Sequence, residues 1–276
     1  MSESYTSKEL NVAHEAADEA ARIIRGYDRR REELNIQLKG HNDLLTDADL
    51  NSEKKILEVI RSTYPDDHIL AEETAQKAKL QDGRVWIIDP IDGTTNFAHA
   101  FPVYCVSIAL WEEGKPKIGL VLEVNRNEYF AAEAGRGASL NGKAISVSGI
   151  TSHEQSLLGT GFPYNDFSMV QPYLNIFDHL MKETHGLRRP GSAAYDLCTV
   201  ACGRLDGFYE YSLSPWDVAA GSLIIREAGG VVTDWDGQDN WMFGERIIAG
   251  NEAIVGYLQR VIKQYVAADK RKAVHL

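Results

Sequence analysis

The chain has 276 residues, 44% hydrophobic and 25% charged, the composition of an ordinary globular protein with one large domain or two close-packed halves. Its formal net charge of −11 argues against nucleic acid as a partner, and no apolar run is long enough to cross a bilayer. Three cysteines without clustered spacing, and no basic-then-apolar leader, argue against a disulfide framework and for a reducing cytoplasm.

Residues Ser7 to Leu38 read as one long amphipathic helix, with Leu10, Ala13, Ala17, Ala20 and Ile24 on one face and a solvated charge run from Asp28 to Glu33. The loop Lys39 to Asp49 then supplies Asp43, Asp47 and Asp49. Asn51–Tyr64 reads as a second helix closed by Pro65, and a short apolar run leads from there into Glu72-Glu73. A glutamate pair of this kind, taken alone, is a solvated surface feature.

The run Val85-Trp86-Ile87-Ile88 is β-prone and ends on Asp89, where Pro90 cannot continue a central ladder. Asp92 follows, and Gly93 can take a backbone conformation closed to other residues before Thr94, Thr95 and Asn96 add hydroxyls, an amide and backbone N–H groups. Two carboxylates beside such a turn suit a divalent cation holding a phosphate. The plainer alternative is a loop in which both aspartates make Asx-turns.

Short β-rich runs follow at Val103–Trp111, Lys117–Val124, Glu128–Ala132 and Ala144–Val147, separated by turn signals, as in an antiparallel meander. Near residue 150 the pattern changes to alternation. Strands are expected at Ser156–Phe162, Phe208–Tyr211, Gly230–Asp234 and Arg246–Ala249, with helices at Val170–Thr184, Ser192–Cys202, Trp216–Ala228 and from Asn251 to about Ala268. Interleaving of this kind indicates a mixed sheet covered on both faces. Cys198 and Cys202, four apart on one helix, are small buried thiols rather than a metal pair.

Further polar positions sit at element ends. Asp217 follows Ser214-Pro215-Trp216, so it falls in a first helical turn, where it could simply stabilise the helix dipole. Gly191-Ser192-Ala193-Ala194 opens a helix, either as an approach for an anion or polyol or as an ordinary Ser192 cap. Glu210, in Gly207-Phe208-Tyr209-Glu210, could receive the hydroxyls of a polyol or face solvent at a strand end.

Together these segments resemble the inositol monophosphatase family of magnesium-dependent, lithium-sensitive phosphatases. The resemblance runs from about Leu10 to Tyr257. It rests on Asp89-Pro90-Ile91-Asp92-Gly93-Thr94-Thr95-Asn96-Phe97, on Trp216-Asp217-Val218-Ala219-Ala220-Gly221 with Glu227-Ala228-Gly229-Gly230, and on the Glu72-Glu73, Lys39-to-Asp49 and Gly191-to-Ala194 segments. Ala71 departs from a common glycine, and Asp47 adds a charge to the first loop. Four carboxylates in one cavity repel one another unless cations compensate them.

The resemblance implies a single layered α-β-α-β-α sandwich across residues 1–276 and hydrolysis of a small phosphate monoester, myo-inositol monophosphate first. Glu72, Asp89 and the Ile91 carbonyl would hold one Mg²⁺, and Asp89, Asp92 and Asp217 a second, with a third, weaker ion near Glu72. Thr94 would orient the attacking water, with Asp49 accepting from its hydroxyl and Glu72 assisting as base. Gly93 and Thr94 would hold the phosphate. Asp92, Gly191, Ser192, Ala193, Glu210 and Asp217 would complete the substrate site. A homodimer is implied as well.

The rivals are sister phosphatases acting on fructose 1,6-bisphosphate, histidinol phosphate or 3′-phosphoadenosine 5′-phosphate, and a binding protein that contacts RNA polymerase through the same fold. A nucleotide-directed enzyme would need a base-stacking or basic pocket, and Glu210 argues against one.

Overall fold

The computed structural model describes residues 7–40, 44–74, 80, 83–164 and 166–273, with the backbone alone for 267–273. Asp43 lies outside the described residues. Helix α1 spans Lys8–Asp28, capped by Ser7, whose side chain accepts the Leu10 N–H. All five expected face residues are buried. The helix stops well short of the expected Leu38. No side chain from Arg29 to Lys39 is fully buried, and among the described residues only Leu34 of its apolar residues packs against the core, so there is no continuous buried stripe to sustain the helix. A 3₁₀ turn at Arg31–Glu33 leads instead into strand β1 (Ile36–Leu38), which pairs antiparallel with β2 (Leu44–Thr46).

Helix α2 spans Asp47–Thr63 and so starts one turn before the expected Asn51. Thr46 and Asp49 form a capping box, so Asp49 sits in the first helical turn and not in a loop. Strand β3 (His68–Ala71) lies parallel to β4 (Arg84–Asp92). Beyond β4 come α3 (Thr94–Ala98), β5 (Cys105–Glu112), β6 (Lys115–Glu123), β7 (Glu128–Glu133), β8 (Ala138–Leu140) and β9 (Lys143–Ala144). The seven strands β3 to β9 form one sheet in chain order, antiparallel from β4 onward. This is the expected meander. The small strand β8 is an addition to it, and only Ala144 of the expected Ala144–Val147 strand is in the ladder.

Pro90 does not end β4. The pairing jumps from Asp89↔Ser107 to Asp92↔Cys105, so Pro90 and Ile91 oppose Val106 alone in a β-bulge. The bulge absorbs the missing proline N–H and lets the strand carry both aspartates.

The second half contains β10 (Leu157–Thr160), α4 (Val170–Glu183), β11 (Gly186–Arg188), α5 (Ala193–Ala201), β12 (Gly207–Tyr211), α6 (Pro215–Glu227), β13 (Val231–Thr233), β14 (Arg246–Gly250) and α7 (Glu252–Ala273). Its five-stranded sheet has the order β11-β10-β12-β14-β13 and mixes parallel and antiparallel pairs. Strand β11 carries no apolar alternation, so its sequence does not announce it.

Period-two alternation sorts β4 between two cores. Trp86 and Ile88 face α1 and α2, while Val85 and Ile87 face the opposite side, where α5 and α6 lie between the two sheets. Tyr209 and Tyr211 of β12 turn outward to α4 and α7. The result is a layered α-β-α-β-α sandwich whose central core draws on residues from both halves. Among the described residues no helix is long and apolar enough to cross a membrane.

Candidate active site

The C-terminal end of β4, the start of α5 and the start of α6 meet at one cavity lined by Glu72, Asp89, Ile91, Asp92, Gly93, Thr94, Gly191, Ser192, Ala193, Glu210 and Asp217. Asp89 and Asp92 flank the bulge. Asp89 turns one oxygen back to the Ile91 N–H at 2.9 Å, an Asx-turn contact, whereas the bonds of Asp92 go to Ser192 and Ala194 and not to its own turn. Gly93 has φ +100°, and a Cβ there would lie 3.0 Å from the Val103 carbonyl and 3.2 Å from that of Gly191. Gly191 has φ +91°. The Asn96 amide ties the two turns together, reaching the carbonyls of Val103 and Pro190 at 2.8 and 2.9 Å.

Asp92 joins the two halves directly. Its Oδ2 accepts from the Ser192 hydroxyl at 2.7 Å and from the Ala194 N–H at 2.6 Å, at the start of α5. Ser192 is also the cap of α5. Asp217, the third residue of α6, accepts the Ser214 N–H at 2.7 Å. It therefore serves the helix end and still faces the cavity.

Carboxylate oxygens of Asp89, Asp92 and Asp217 all lie within 4.8 Å of one another. Burial pushes all three up: Asp92 to about 6, Asp89 and Asp217 well above the usual carboxylate range. Glu72 and Asp92 add to the rise at Asp89, and Asp92 adds to it at Asp217. No ion pair among the described residues reaches any of the three. Hard oxygen donors crowded without a counter-ion fit a divalent cation such as Mg²⁺.

Glu72 opens onto the same cavity but outside this trio. Its Oε1 meets Lys39 Nζ at 2.9 Å, and Lys39 also bonds Glu73 Oε1 at 2.5 Å. The Glu72-Glu73 pair is therefore not a solvated surface feature, since Glu73 has a side chain 3% exposed. Thr94 Oγ1 lies 2.9 Å from the Ile91 carbonyl and 3.0 Å from Asp49 Oδ1, so its single hydrogen can turn to either acceptor. Asp49 is fully buried and pushed up to about 6 by burial, against the opposing bond from the Thr46 hydroxyl at 2.6 Å.

At the far end of the cavity Glu210 is 6% exposed, so it does not face solvent. It packs over Gly161, where a Cβ would come within 1.8 Å of Glu210 Oε1. Burial and then Asp217 push its carboxyl well up, while Arg189 opposes the shift. Arg189 lies beside the Gly191 turn, and its sequence context assigns it no role. Its guanidinium bonds Tyr164 Oη at 2.9 Å and stands 5.4 Å from the Phe162 ring centre. This end is thus basic and aromatic as well as acidic, which corrects the argument from Glu210 alone. Asp196, buried in α5 with Oδ1 unpartnered among the described residues, also lines the cavity. The available signal for it is a single charged residue in the otherwise apolar run Ala193 to Cys198.

The sequence pattern of the inositol monophosphatase family matches residues 6–275. The chain belongs to that family. It is 41% identical over 246 residues to the Nus factor SuhB of Escherichia coli K12, covering 89% of this chain and 92% of that one. The extragenic suppressor protein suhB of Bartonella henselae superposes with a TM-score of 0.88 at 38% identity, over 93% of this chain and 99% of that one. An inositol monophosphatase from Anabaena superposes with a TM-score of 0.82 at 40% identity, over 92% and 95%. Membership in the inositol monophosphatase family supports phosphatase chemistry, and it agrees with the layered fold and the acidic cluster.

Proposed function

We propose that the chain is a Mg²⁺-dependent phosphatase that releases orthophosphate from a small phosphorylated polyol, with myo-inositol monophosphate as the foremost substrate. The observation that carries this reading is the uncompensated trio Asp89, Asp92 and Asp217 beside the Gly93 turn. These three, with Glu72 and the Ile91 carbonyl, would hold two Mg²⁺ ions. Bound there, the ions supply Lewis-acid polarisation of the attacking water and of the phosphoryl oxygens.

The chain's own residues do the rest. Thr94, with its hydroxyl hydrogen turned to Asp49, presents lone pairs that orient a water for in-line attack. Glu72 accepts the proton. The Gly93 and Thr94 N–H groups, at a helix start where no intrahelical acceptor serves them, hold phosphate oxygens. Gly191, Ser192, Ala193, Asp217 and Glu210 face the leaving alcohol. Lys39 already supplies a cation at Glu72 and Glu73, which weighs against a third metal at that point.

A phosphate-release assay with and without Mg²⁺ tests the reading. The panel is inositol 1-phosphate, glycerol 2-phosphate, fructose 1,6-bisphosphate, histidinol phosphate and 3′-phosphoadenosine 5′-phosphate. Inositol 1-phosphate is expected to lead, and Li⁺ in the millimolar range is expected to inhibit. Release from none of them at saturating Mg²⁺ would sink the enzyme reading. Preference for a bisphosphate or nucleotide would move the assignment to a sister phosphatase.

The relatives named Nus factor favour a second reading, a role in binding RNA polymerase through the same fold. Co-purification with RNA polymerase by the wild type and by an inactive variant alike would establish that role beside catalysis. We place the protein in the cytoplasm, in keeping with three free cysteines, and as a homodimer, which sedimentation checks.

A further inference from the structure

The buried face of α2 is not an apolar stripe throughout. Ile56, Leu57 and Ile60 pack into the core, but one turn earlier Ser52, Glu53 and Asp49 are equally withdrawn from solvent. Asp49 meets Thr46 and Thr94. Glu53 has no such explanation. Its side chain is fully buried, and no ion pair among the described residues reaches it. Its Oε2 accepts the Glu73 N–H at 2.8 Å, and its Oε1 has no partner among the described residues. A buried carboxylate with a single bond is costly, and such a group calls for a reason.

The bond it makes supplies the reason. Strand β3 ends at Ala71, and the chain leaves the sheet in the turn Glu72-Glu73-Thr74. Glu72 N still bonds the Ile88 carbonyl of β4 at 3.3 Å. The next N–H, that of Glu73, is held by Glu53 from the helix beneath. Two successive amides are thus anchored to two different elements, and the side chain between them is the Glu72 carboxylate that opens onto the cavity.

We infer that Glu53 is a positioning residue: its bond to the Glu73 N–H sets the direction in which Glu72 enters the site, and so sets cation affinity. The inference rests on the reading of Glu72 as a metal ligand. Residues that orient ligands without touching the ion typically change metal affinity 10- to 100-fold when removed.

Two variants separate the bond from the charge. Glu53→Gln keeps an acceptor at the same reach and removes the charge. Glu53→Asp keeps the charge and draws the carboxylate back by about 1.5 Å, one carbon–carbon bond. Mg²⁺ affinity is measured by calorimetry on the metal-free proteins, with Glu72→Gln as control. Exchange of the Glu73 amide in metal-free protein reads the bond itself.

Glu53→Gln is expected to bind within about 3-fold of wild type. Glu53→Asp is expected to bind about 10-fold or more weakly, to exchange the Glu73 amide faster, and to keep kcat at saturating Mg²⁺. Wild-type affinity in Glu53→Asp, or equal weakening in both variants, overturns the inference while Glu72→Gln still loses affinity. Unchanged affinity in Glu72→Gln overturns the ligand reading itself, and this inference with it.

Discussion

At the N-terminal end of β4 the Arg84 guanidinium meets Asp67 through Nε at 3.1 and 3.0 Å, and Glu9 and Glu112 through Nη1 at 3.2 and 3.1 Å. Lys117 reaches the same Glu9 and Glu112 at 3.2 and 3.0 Å. Roughly 17 to 26 Å along the strand, Asp89 and Asp92 gather with Asp217 and meet no cation among the described residues. The same residue types respond with opposite sign. A backbone N–H bond, the bonds from Lys117 and Arg84 and the Lys117 charge outweigh burial at Glu9 and hold it below its ordinary range, and a Lys117 bond does the same at Glu112. Burial pushes the trio up, with the Glu72 charge adding at all three and the neighbouring aspartates at Asp89 and Asp217. A chain that neutralises one carboxylate set from its own sequence and leaves another uncompensated marks the second as a place for something external.

The largest expected effect comes from Asp92→Asn at the uncompensated end. The amide oxygen can still accept from Ser192 and Ala194, so the fold is kept while one ligand charge is lost. Turnover at saturating Mg²⁺ is expected to fall about 100-fold or more, and the metal-free melting temperature to rise as repulsion is relieved. Near-normal turnover would remove Asp92 from the ligand set.

Glu210→Gln sharpens the contrast within the cavity, because Glu210 has Arg189 nearby and the trio has no such partner. Loss of a charge-assisted bond to a polyol, worth about 1.5–3 kcal/mol, is expected to lower kcat/KM about 10- to 100-fold for inositol 1-phosphate. Fructose 1,6-bisphosphate is expected to change less. An equal fall on both substrates would show that Glu210 does not select the alcohol.

Breaking the balanced end tests the other side of the comparison. Arg84→Met leaves Asp67 and Glu9 short of a partner and is expected to cost about 1–3 kcal/mol in urea unfolding, with kcat unchanged. A fall in kcat would show that the two ends of β4 are coupled.

The smallest effect is a change of slope. A carboxyl whose folded pKa is raised, as in Asp92 from 3.8 to about 6, contributes stability that is full below the unfolded pKa and lost as pH rises through the folded one. Metal-free protein is therefore expected to melt several degrees higher near pH 5 than near pH 8. Saturating Mg²⁺ should abolish or reverse that slope. A metal-free melting temperature that falls on acidification over this range would contradict the repulsion argument.

Legibility in the sequence followed locality. The Asp89-to-Phe97 run carries its left-handed glycine and its polar helix start within a few residues, so the turn could be read directly. The expected end of the strand at Asp89 fails, because the bulge that carries it through Pro90 depends on pairing with the distant β5. Pro215 places Asp217 in a first helical turn for the same reason. The expected loop position of Asp49 fails because Thr46 and Asp49 form a capping box, a signal that is itself local. Lys39, Arg189 and Glu53 depend on long-range contacts, with Glu72 and Glu73, with Tyr164, and with the Glu73 amide. Nothing in their own neighbourhoods announces those partners. The overlong first helix fails differently: its charge run suits a helix intrinsically, but it buries no apolar stripe, and its contact across the chain is Arg31 on Phe97.

The close seam between the Gly93 and Gly191 turns has a consequence for how this scaffold can change its diet. A Cβ at Gly93 would lie 3.0 and 3.2 Å from the two facing carbonyls, and Asn96 rivets both sides, so the wall proposed to hold the phosphate admits no new side chain. Innovation is confined to the opposite rim, where Tyr164 is 37% exposed and Phe162 40% exposed around Arg189. On the proposed function, redesign for a new leaving group would begin there, with the Gly93 turn kept unaltered.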